Sequence, residues 1–233
     1  MNRAETVFGI WSTRWAWVVW AALSATALVA FNRLPGIDLD AARLFWRDGA
    51  FAWGAMPVLG NVRSFFHYLP PTAGVALVVL LISRLWRGAS ATDTISRRLG
   101  AAIAAIVAGP LLLVNGLLKE VVDRPRPHQL TEFGGPFDFV PAGDWTGACQ
   151  SNCSFVSGEV SGIAWLVALL PLCPPAWRPL AGVLIVAAIA TSAVLRMAFG
   201  AHFLSDVTLS ALFTVTVYAI VARLFEPAQA GRR

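Results

Sequence analysis

The stretch Leu99–Pro127, "LGAAIAAIVAGPLLLVNGLLKEVVDRPRP", decides the fold. Its first part, Leu99–Leu118, has no charged side chain, whereas its second part is basic and rich in proline. A transmembrane α-helix needs about 17–25 mostly apolar residues. The first part therefore predicts a membrane-spanning helix. The second part predicts a stiff polar loop where that helix ends, because proline fixes φ and removes a backbone donor.

The rest of the chain has the same apolar character. Hydrophobic residues make up 57% of the 233 residues, charged residues 13%, and the mean hydropathy is +0.66. This composition excludes a soluble scaffold and indicates a polytopic membrane protein. We predict an all-α fold with six transmembrane helices in one domain, residues 1–233. The other five helices are expected at about Trp15–Phe31, Thr72–Trp86, Val160–Cys173, Leu180–Leu195 and Val207–Leu224.

The distribution of arginine predicts the orientation, because basic residues favour cytoplasmic loops. With the N-terminus inside, the inner segments collect ten arginines: Arg3, Arg14, Arg84, Arg87, Arg97, Arg98, Arg178, Arg223, Arg232 and Arg233. Both termini are therefore expected in the cytoplasm, and the loops 32–71, 119–159 and 196–206 on the outer face. Topology explains the net charge of +5, so no nucleic-acid partner is expected.

The outer segments carry three clusters of polar residues at helix ends. The first is Lys119, which ends the predicted third helix, followed by Arg124 and Arg126 in the "RPRP" loop. Cations at a helix C-terminus favour the helix dipole in any protein. The prolines of this loop also hold the guanidinium groups in place, which favours a binding role.

The second cluster lies where the fourth helix begins. Ser154, Ser157 and Gly158 precede this helix, and Glu159 opens it. A helix N-terminus with a nearby hydroxyl group is either a simple cap or an anion site. A carboxylate in the first turn is also favoured by the helix dipole, so Glu159 alone does not decide between these interpretations.

The third cluster contains Arg196, His202 and Asp206. His202 and Asp206 are four residues apart, so they lie on one face of the sixth helix. An aspartate that accepts from one imidazole nitrogen leaves the other free as a nucleophile. Three cations, a helix N-terminus and this pair together match a phosphate dianion and a nucleophile directed at phosphorus.

Cys149 and Cys153 lie four residues apart in the predicted outer loop. In an oxidising compartment such a pair closes a small ring, and the alternative is two free thiols. We expect the disulfide. A zinc site is not expected, because no further cysteine lies in the loop and the nearest histidine is His128.

These residues resemble the motifs of the type 2 phosphatidic acid phosphatase family of membrane phosphatases. Lys–x6–Arg-Pro matches Lys119 to Arg126-Pro127, and Ser-Arg–x5–His–x3–Asp matches Arg196 to Asp206 with leucine in the serine place. Pro-Ser-Gly-His is met only in part, by 156–159, "VSGE". The first and third spacings are long and specific, and the six-helix layout extends the likeness over nearly the whole chain.

The resemblance implies a phosphatase in a bacterial inner membrane, with its site facing the periplasm. It implies that His202 attacks phosphorus to form a phosphohistidine and that Asp206 orients His202. It also implies that five groups hold the phosphoryl oxygens: Lys119, Arg126, Ser157, Gly158 and Arg196. No metal or organic cofactor and no protein partner is implied, and the substrate is a membrane lipid.

The chain departs from the family at Glu159, where the family has the histidine that protonates the leaving oxygen. Three explanations are open. Glu159 is itself the general acid, which we favour. Alternatively, a good leaving group needs no acid, or His128 supplies the proton.

The substrate is less sharply indicated. The segments "NCSFVSGE" and "DRPRP" are similar to bacterial lipid A phosphatases within the same family. Undecaprenyl pyrophosphate, phosphatidylglycerophosphate, phosphotransfer to another acceptor and a non-catalytic lipid-binding or transport protein are the alternatives. In the outer loop, Ile37–Trp53 has apolar residues at helical spacing. It predicts an interfacial helix that either guides a lipid or covers the bundle as a lid.

Overall fold

The computed structural model describes residues 7–227, and in this range the chain is helical with no sheet. Both termini, with Arg3, Arg232 and Arg233, lie outside the described residues, so their cytoplasmic location stays a prediction. The helices are α1 Ala16–Arg33, α2 Gly36–Arg43, α3 Pro57–Trp86, α4 Thr94–Val121, α5 Gly158–Leu172, α6 Arg178–Ala198 and α7 Leu204–Phe225. Short 3-10 turns lie at Gly9–Ser12, Ala52–Ala55, Pro127–Gln129, Thr131–Phe133 and Pro175–Trp177.

Each of the six predicted apolar segments corresponds to a long helix. Five helices are long and apolar enough to cross a membrane: α1, α3, α4, α6 with its preceding turn, and α7. The remaining helix, α5, is apolar but shorter, and its second half, Leu166–Leu172, is a 3-10 helix. An all-α polytopic membrane protein is therefore confirmed, while the number of crossings stays a prediction.

The start of α3 is the main error in the predicted boundaries. We expected this helix from Thr72, because the pair Pro70–Pro71 removes backbone donors, but it begins at Pro57 and continues through both prolines. Prolines inside membrane helices are tolerated where neighbouring elements support them. Here the Pro70 ring packs on Gly162 of α5, where an added Cβ would lie 3.0 Å from the ring. The earlier start places residues 57–71 on a helix instead of in a loop.

Helix α4 changes its hydrogen-bonding pattern in the middle. Asp93 caps its N-terminus by accepting from the Ser96 amide at 2.9 Å. Residues Val107–Leu118 form a π-helix around Pro110, whose carbonyl accepts from the Asn115 side chain at 2.7 Å. π-Helical turns are frequent at functional sites. This turn brings Asn115 next to the beginning of α5.

The most buried span is α7. Half of its most apolar stretch is buried, and it contacts α1, α4 and α5. The core beside it contains the buried side chains Trp165 and Tyr218, and the Trp165 indole donates to the Ala102 carbonyl at 2.7 Å. Helices α4 and α6 end, and α5 and α7 begin, around one cavity. We call this end of the bundle the site end.

The predicted amphipathic helix Ile37–Trp53 is wrong in extent, because α2 ends at Arg43. The residues that follow fold back in irregular structure, and Trp46 and Phe51 pack their rings on Phe133. These aromatic side chains form one cluster with the loop after α4. Of the two interpretations of this segment, the lid over the bundle fits the packing.

Candidate active site

A cavity of about 740 Å³ opens at the site end of the bundle. Its polar part is lined by ionisable side chains from four helices and two loops: Arg63, His67, Lys119, Arg126, Glu159, Arg196 and His202. Its other part is an apolar groove between α3 and α4, lined by Val75, Val78, Val79, Ile103, Ile106, Val107 and Leu111. Charge at one end and hydrocarbon at the other suit an amphiphilic ligand.

His202 lies in the turn between α6 and α7, and its side chain is 2% exposed. Its Nδ1 lies 2.8 Å from the Ser154 carbonyl oxygen. A carbonyl oxygen only accepts, so Nδ1 carries the hydrogen and the neutral ring has its lone pair on Nε2. Since His202 lines the cavity, this tautomer supplies a nitrogen nucleophile there.

Burial lowers the pKa of His202 to about 4, Arg196 adds to the lowering, and Asp206 opposes it. The unprotonated imidazole is the nucleophilic form. A lowered pKa therefore keeps His202 in its reactive state from about pH 5 upward.

We expect His202 to remain neutral at pH 5.5, where a histidine with the ordinary pKa of about 6.5 is roughly nine-tenths protonated. The measurement is a ¹⁵N NMR titration of the three histidines in detergent micelles, with the His202 signal assigned by its absence in His202→Gln. A His202 ring that titrates near pH 6.5 would contradict its burial in this site.

Asp206 holds a different position from the one expected. Its Oδ2 lies 3.8 Å from Nδ1 of His202, too far for a hydrogen bond, and accepts instead from the Ser154 hydroxyl at 2.5 Å and the Phe203 amide at 2.9 Å. The Ser154 carbonyl, rather than Asp206, fixes the tautomer of His202. The buried carboxylate remains close enough to stabilise positive charge on the ring.

Arg124 supports this arrangement from behind the cavity. Its guanidinium group is fully buried and pairs with Asp38 and Asp206, each at 2.7 Å. It also donates to the Ser205 hydroxyl and the Val140 carbonyl, at 2.7 and 2.8 Å. One arginine thus joins α2, the loop after α4 and the start of α7.

Asp38 is the second carboxylate of this network and is fully buried on α2. It accepts from the Ser205 amide at 2.8 Å and from its hydroxyl at 2.6 Å. Burial raises the pKa of Asp38, and Arg124 opposes this rise. The acids of this segment were expected on a solvated face, so the burial of Asp38 was not predicted.

The beginning of α5 is a capped helix N-terminus. Ser157 is the N-cap, with its Oγ accepting from the Val160 amide at 3.4 Å, and it is fully buried. Gly158 faces the cavity, and an added Cβ would collide with Asn115 and lie 3.1 Å from Nζ of Lys119. Only glycine lets Lys119 approach this helix end so closely.

Two arginines complete the cationic part of the cavity. Arg196, at the end of α6, is 6% exposed, and within residues 7–227 its buried Nε has no hydrogen-bond partner. Arg126 donates to the Asn152 carbonyl at 2.8 Å and to its side-chain oxygen at 2.8 Å. The free Nε and these aligned guanidinium groups suit phosphoryl oxygens.

Cys149 and Cys153 are joined by a disulfide bond with Cα atoms 5.8 Å apart. Asn152 lies inside this small ring and has a left-handed backbone, φ +48°. Because Asn152 accepts from Arg126, the ring connects the disulfide to the position of that guanidinium group.

Glu159 is ion-paired rather than free. Its Oε1 accepts from Nη2 of Arg63 at 2.5 Å and lies 3.2 Å from Nη1 of Arg196. Two guanidinium groups stabilise the ionised carboxylate, which has no proton to donate. This geometry speaks against the general-acid role that we favoured. It also leaves His128 aside, because that ring binds the Gly200 carbonyl and does not line the cavity.

Six of the predicted site residues line the cavity: Lys119, Arg126, Gly158, Glu159, Arg196 and His202. Ser157 and Asp206 lie behind its wall. Arg63, His67 and Asn152 line it without having been predicted. The only sequence signal for the two α3 residues is their spacing of four, which places them on one helix face once the helix is known to begin at Pro57.

Comparison with known proteins agrees with this geometry. Residues 98–229 match the sequence model of the PAP2 superfamily. The lipid A 4′-phosphatase of Rhizobium etli is 37% identical, over 98% of this chain and 92% of the relative. Those of Rhizobium leguminosarum and Francisella tularensis subsp. novicida are 34% and 30% identical, over 91% and 84% of this chain and 95% and 91% of the relatives. No solved structure matches the chain significantly. This chain therefore belongs to the PAP2 superfamily of phosphatases.

Proposed function

We propose that this membrane lipid phosphatase removes the 4′-phosphate of lipid A, through a phosphohistidine on His202 and without a metal ion. The observation that carries the proposal is the cavity itself. A neutral histidine with a free Nε2 faces it beside three cations, Lys119, Arg126 and Arg196, and the same cavity continues as an apolar groove. The names of the relatives support the choice of substrate.

Phosphate binding comes first. Lys119, Arg126 and Arg196 surround the position in front of His202, and the amide of Gly158 at the α5 N-terminus adds a backbone donor. Guanidinium groups and helix N-termini both favour a phosphate dianion. These charges take over the neutralisation that a metal ion supplies in other phosphoryl-transfer enzymes.

The first chemical step is an in-line displacement at phosphorus. Nε2 of His202 forms a bond to phosphorus while the bond from phosphorus to the sugar oxygen breaks, and the leaving oxygen takes a proton. The positive charge that develops on the ring is stabilised by the Asp206 carboxylate, 3.8 Å from Nδ1. Water then attacks phosphorus, the nitrogen–phosphorus bond breaks, and inorganic phosphate leaves with His202 regenerated.

The apolar groove accounts for a lipid substrate. Its valine, isoleucine and leucine side chains lie on the membrane-spanning parts of α3 and α4. A lipid whose acyl chains occupy this groove presents its head group to the cationic end. With the site end at the periplasmic face of the inner membrane, as the arginine distribution predicts, the head group lies at the interface.

A substrate panel tests this proposal. With the purified protein in detergent and EDTA present, we expect vanadate-sensitive release of phosphate from lipid A that carries phosphates at positions 1 and 4′. Mass spectrometry should find the 1-phosphate retained. Undecaprenyl pyrophosphate and phosphatidylglycerophosphate are expected to react much more slowly. Loss of the 1-phosphate instead would contradict the proposed position, and no release from any lipid would favour a binding or transport protein.

A further inference from the structure

We propose that His67 is the general acid and base of this reaction and that Glu159 orients it. This inference rests on the proposed function, because it assigns the proton transfers of the same reaction. His67 lies on α3, four residues after Arg63, so the two side chains share one helix face. Its ring lines the cavity together with His202, and its side chain is 50% exposed.

The contact with Glu159 carries the assignment. Nδ1 of His67 lies 3.7 Å from Oε1 of Glu159, and Arg63 and Arg196 hold that same carboxylate in place. A carboxylate on the Nδ1 side turns the Nε2–H of a protonated imidazole away from itself. In this chain the carboxylate thus stands where the family has its proton donor, and an imidazole from another helix stands next to it.

The other groups in the cavity are less suited to proton transfer. Arginine does not lose its proton in proteins. Glu159 is ion-paired, and His202 is the nucleophile. Lys119 lies against Gly158 at the α5 N-terminus, where its charge is used to bind phosphate. Imidazole is the side chain that most often acts as general acid and base near neutral pH.

The proton balance closes over the two steps. In the first, Nε2–H of protonated His67 gives its proton to the leaving sugar oxygen as the oxygen–phosphorus bond breaks. In the second, the neutral ring accepts a proton from the attacking water as the phosphohistidine breaks down. The 4′ oxygen of a sugar belongs to an ordinary secondary alcohol, which is a poor leaving group without such a donor.

The test compares two phosphate monoesters with the same dodecyl tail, one with an alkyl and one with a nitrophenyl leaving oxygen. General acid catalysis contributes about 10²–10⁴-fold and matters least for a good leaving group. We therefore expect His67→Gln to lower kcat/KM for the alkyl ester by about 10²-fold or more, and for the nitrophenyl ester by less than about 10-fold. The matched control is Ser64→Ala, an exposed neighbour on α3, which should leave both values unchanged.

The outcomes separate this inference from the proposed function. An equal loss for both esters in His67→Gln, or no loss for either, would overturn the role of His67 while the phosphatase activity stands. The same follows if His128→Gln, rather than His67→Gln, shows the dependence on the leaving group. If the wild type releases phosphate from neither ester or from lipid A, or if His202→Ala remains active, the proposed function itself fails.

Discussion

Replacing His202 with alanine is expected to lower phosphate release by about 10⁴-fold or more, because removal of a nucleophile costs this much in enzymes with a covalent intermediate. The substitution removes the ring whose Nδ1–H is bound by the Ser154 carbonyl and whose Nε2 faces the cations. The measurement is kcat/KM on the lipid substrate in detergent, with folding checked by size-exclusion chromatography.

His128→Gln is the matched control for this loss. His128 lies in the loop after α4 and binds the Gly200 carbonyl, but its ring does not line the cavity. We expect this variant to keep activity close to that of the wild type. Substantial turnover in His202→Ala would mean that another group attacks phosphorus, and the proposed chemistry would be wrong.

Replacing Arg124 with methionine is expected to cost about 3–5 kcal/mol of unfolding free energy, because it leaves two buried carboxylates without their cation. Asp38 and Asp206 are both fully buried against this guanidinium group. The arginine also stacks on Phe203, with its central carbon 4.3 Å from the ring centroid. The measurement is unfolding by a denaturing detergent in mixed micelles.

Arg43→Met provides the control, since Arg43 also contacts two carboxylates, Asp40 and Glu132, but on the exposed surface. Exposed ion pairs contribute little, so we expect a much smaller change in stability. In Arg124→Met, adding Asp38→Asn should recover part of the loss because it removes one uncompensated charge. Equal effects of the two arginine substitutions would contradict the account of the buried network.

The stability loss in Arg124→Met should also depend on pH. Without the cation, burial raises the pKa of Asp38 further above its value in the unfolded chain. A carboxyl group with a raised folded-state pKa contributes stability at low pH that is lost as the pH rises through that pKa. The difference between variant and wild type should therefore be smallest in acid and grow toward neutral pH.

The sequence was sufficient for the residues that lie close together along the chain. Lys119 and Arg126 bracket a single helix end, and Arg196, His202 and Asp206 bracket one turn between two helices, so fixed spacings locate them. The apolar segments were also recognisable, because hydrophobicity over about 20 residues is the strongest signal in a membrane protein. Their ends were less certain where prolines continue inside a helix, as at Pro70 in α3.

The remaining site residues come from distant segments and had no local signal. Asp38, Arg63 and His67 precede residues 98–229, the part that matches the superfamily, and reach the site only through packing of α2 and α3 on the rest. Ser154 acts through a backbone carbonyl that no side-chain pattern reveals. A buried arginine such as Arg124 requires acidic partners, but the sequence does not say which of the acids in the predicted outer loops they are.

The central claim is a covalent intermediate on His202, and the stereochemical course at phosphorus tests it most directly. A lipid thiophosphate monoester made chiral with oxygen isotopes is hydrolysed by the wild type in isotopically labelled water, and the configuration of the released thiophosphate is determined. Two successive in-line displacements, first by His202 and then by water, predict retention of configuration. Inversion would mean a single direct attack by water and would contradict the phosphohistidine mechanism.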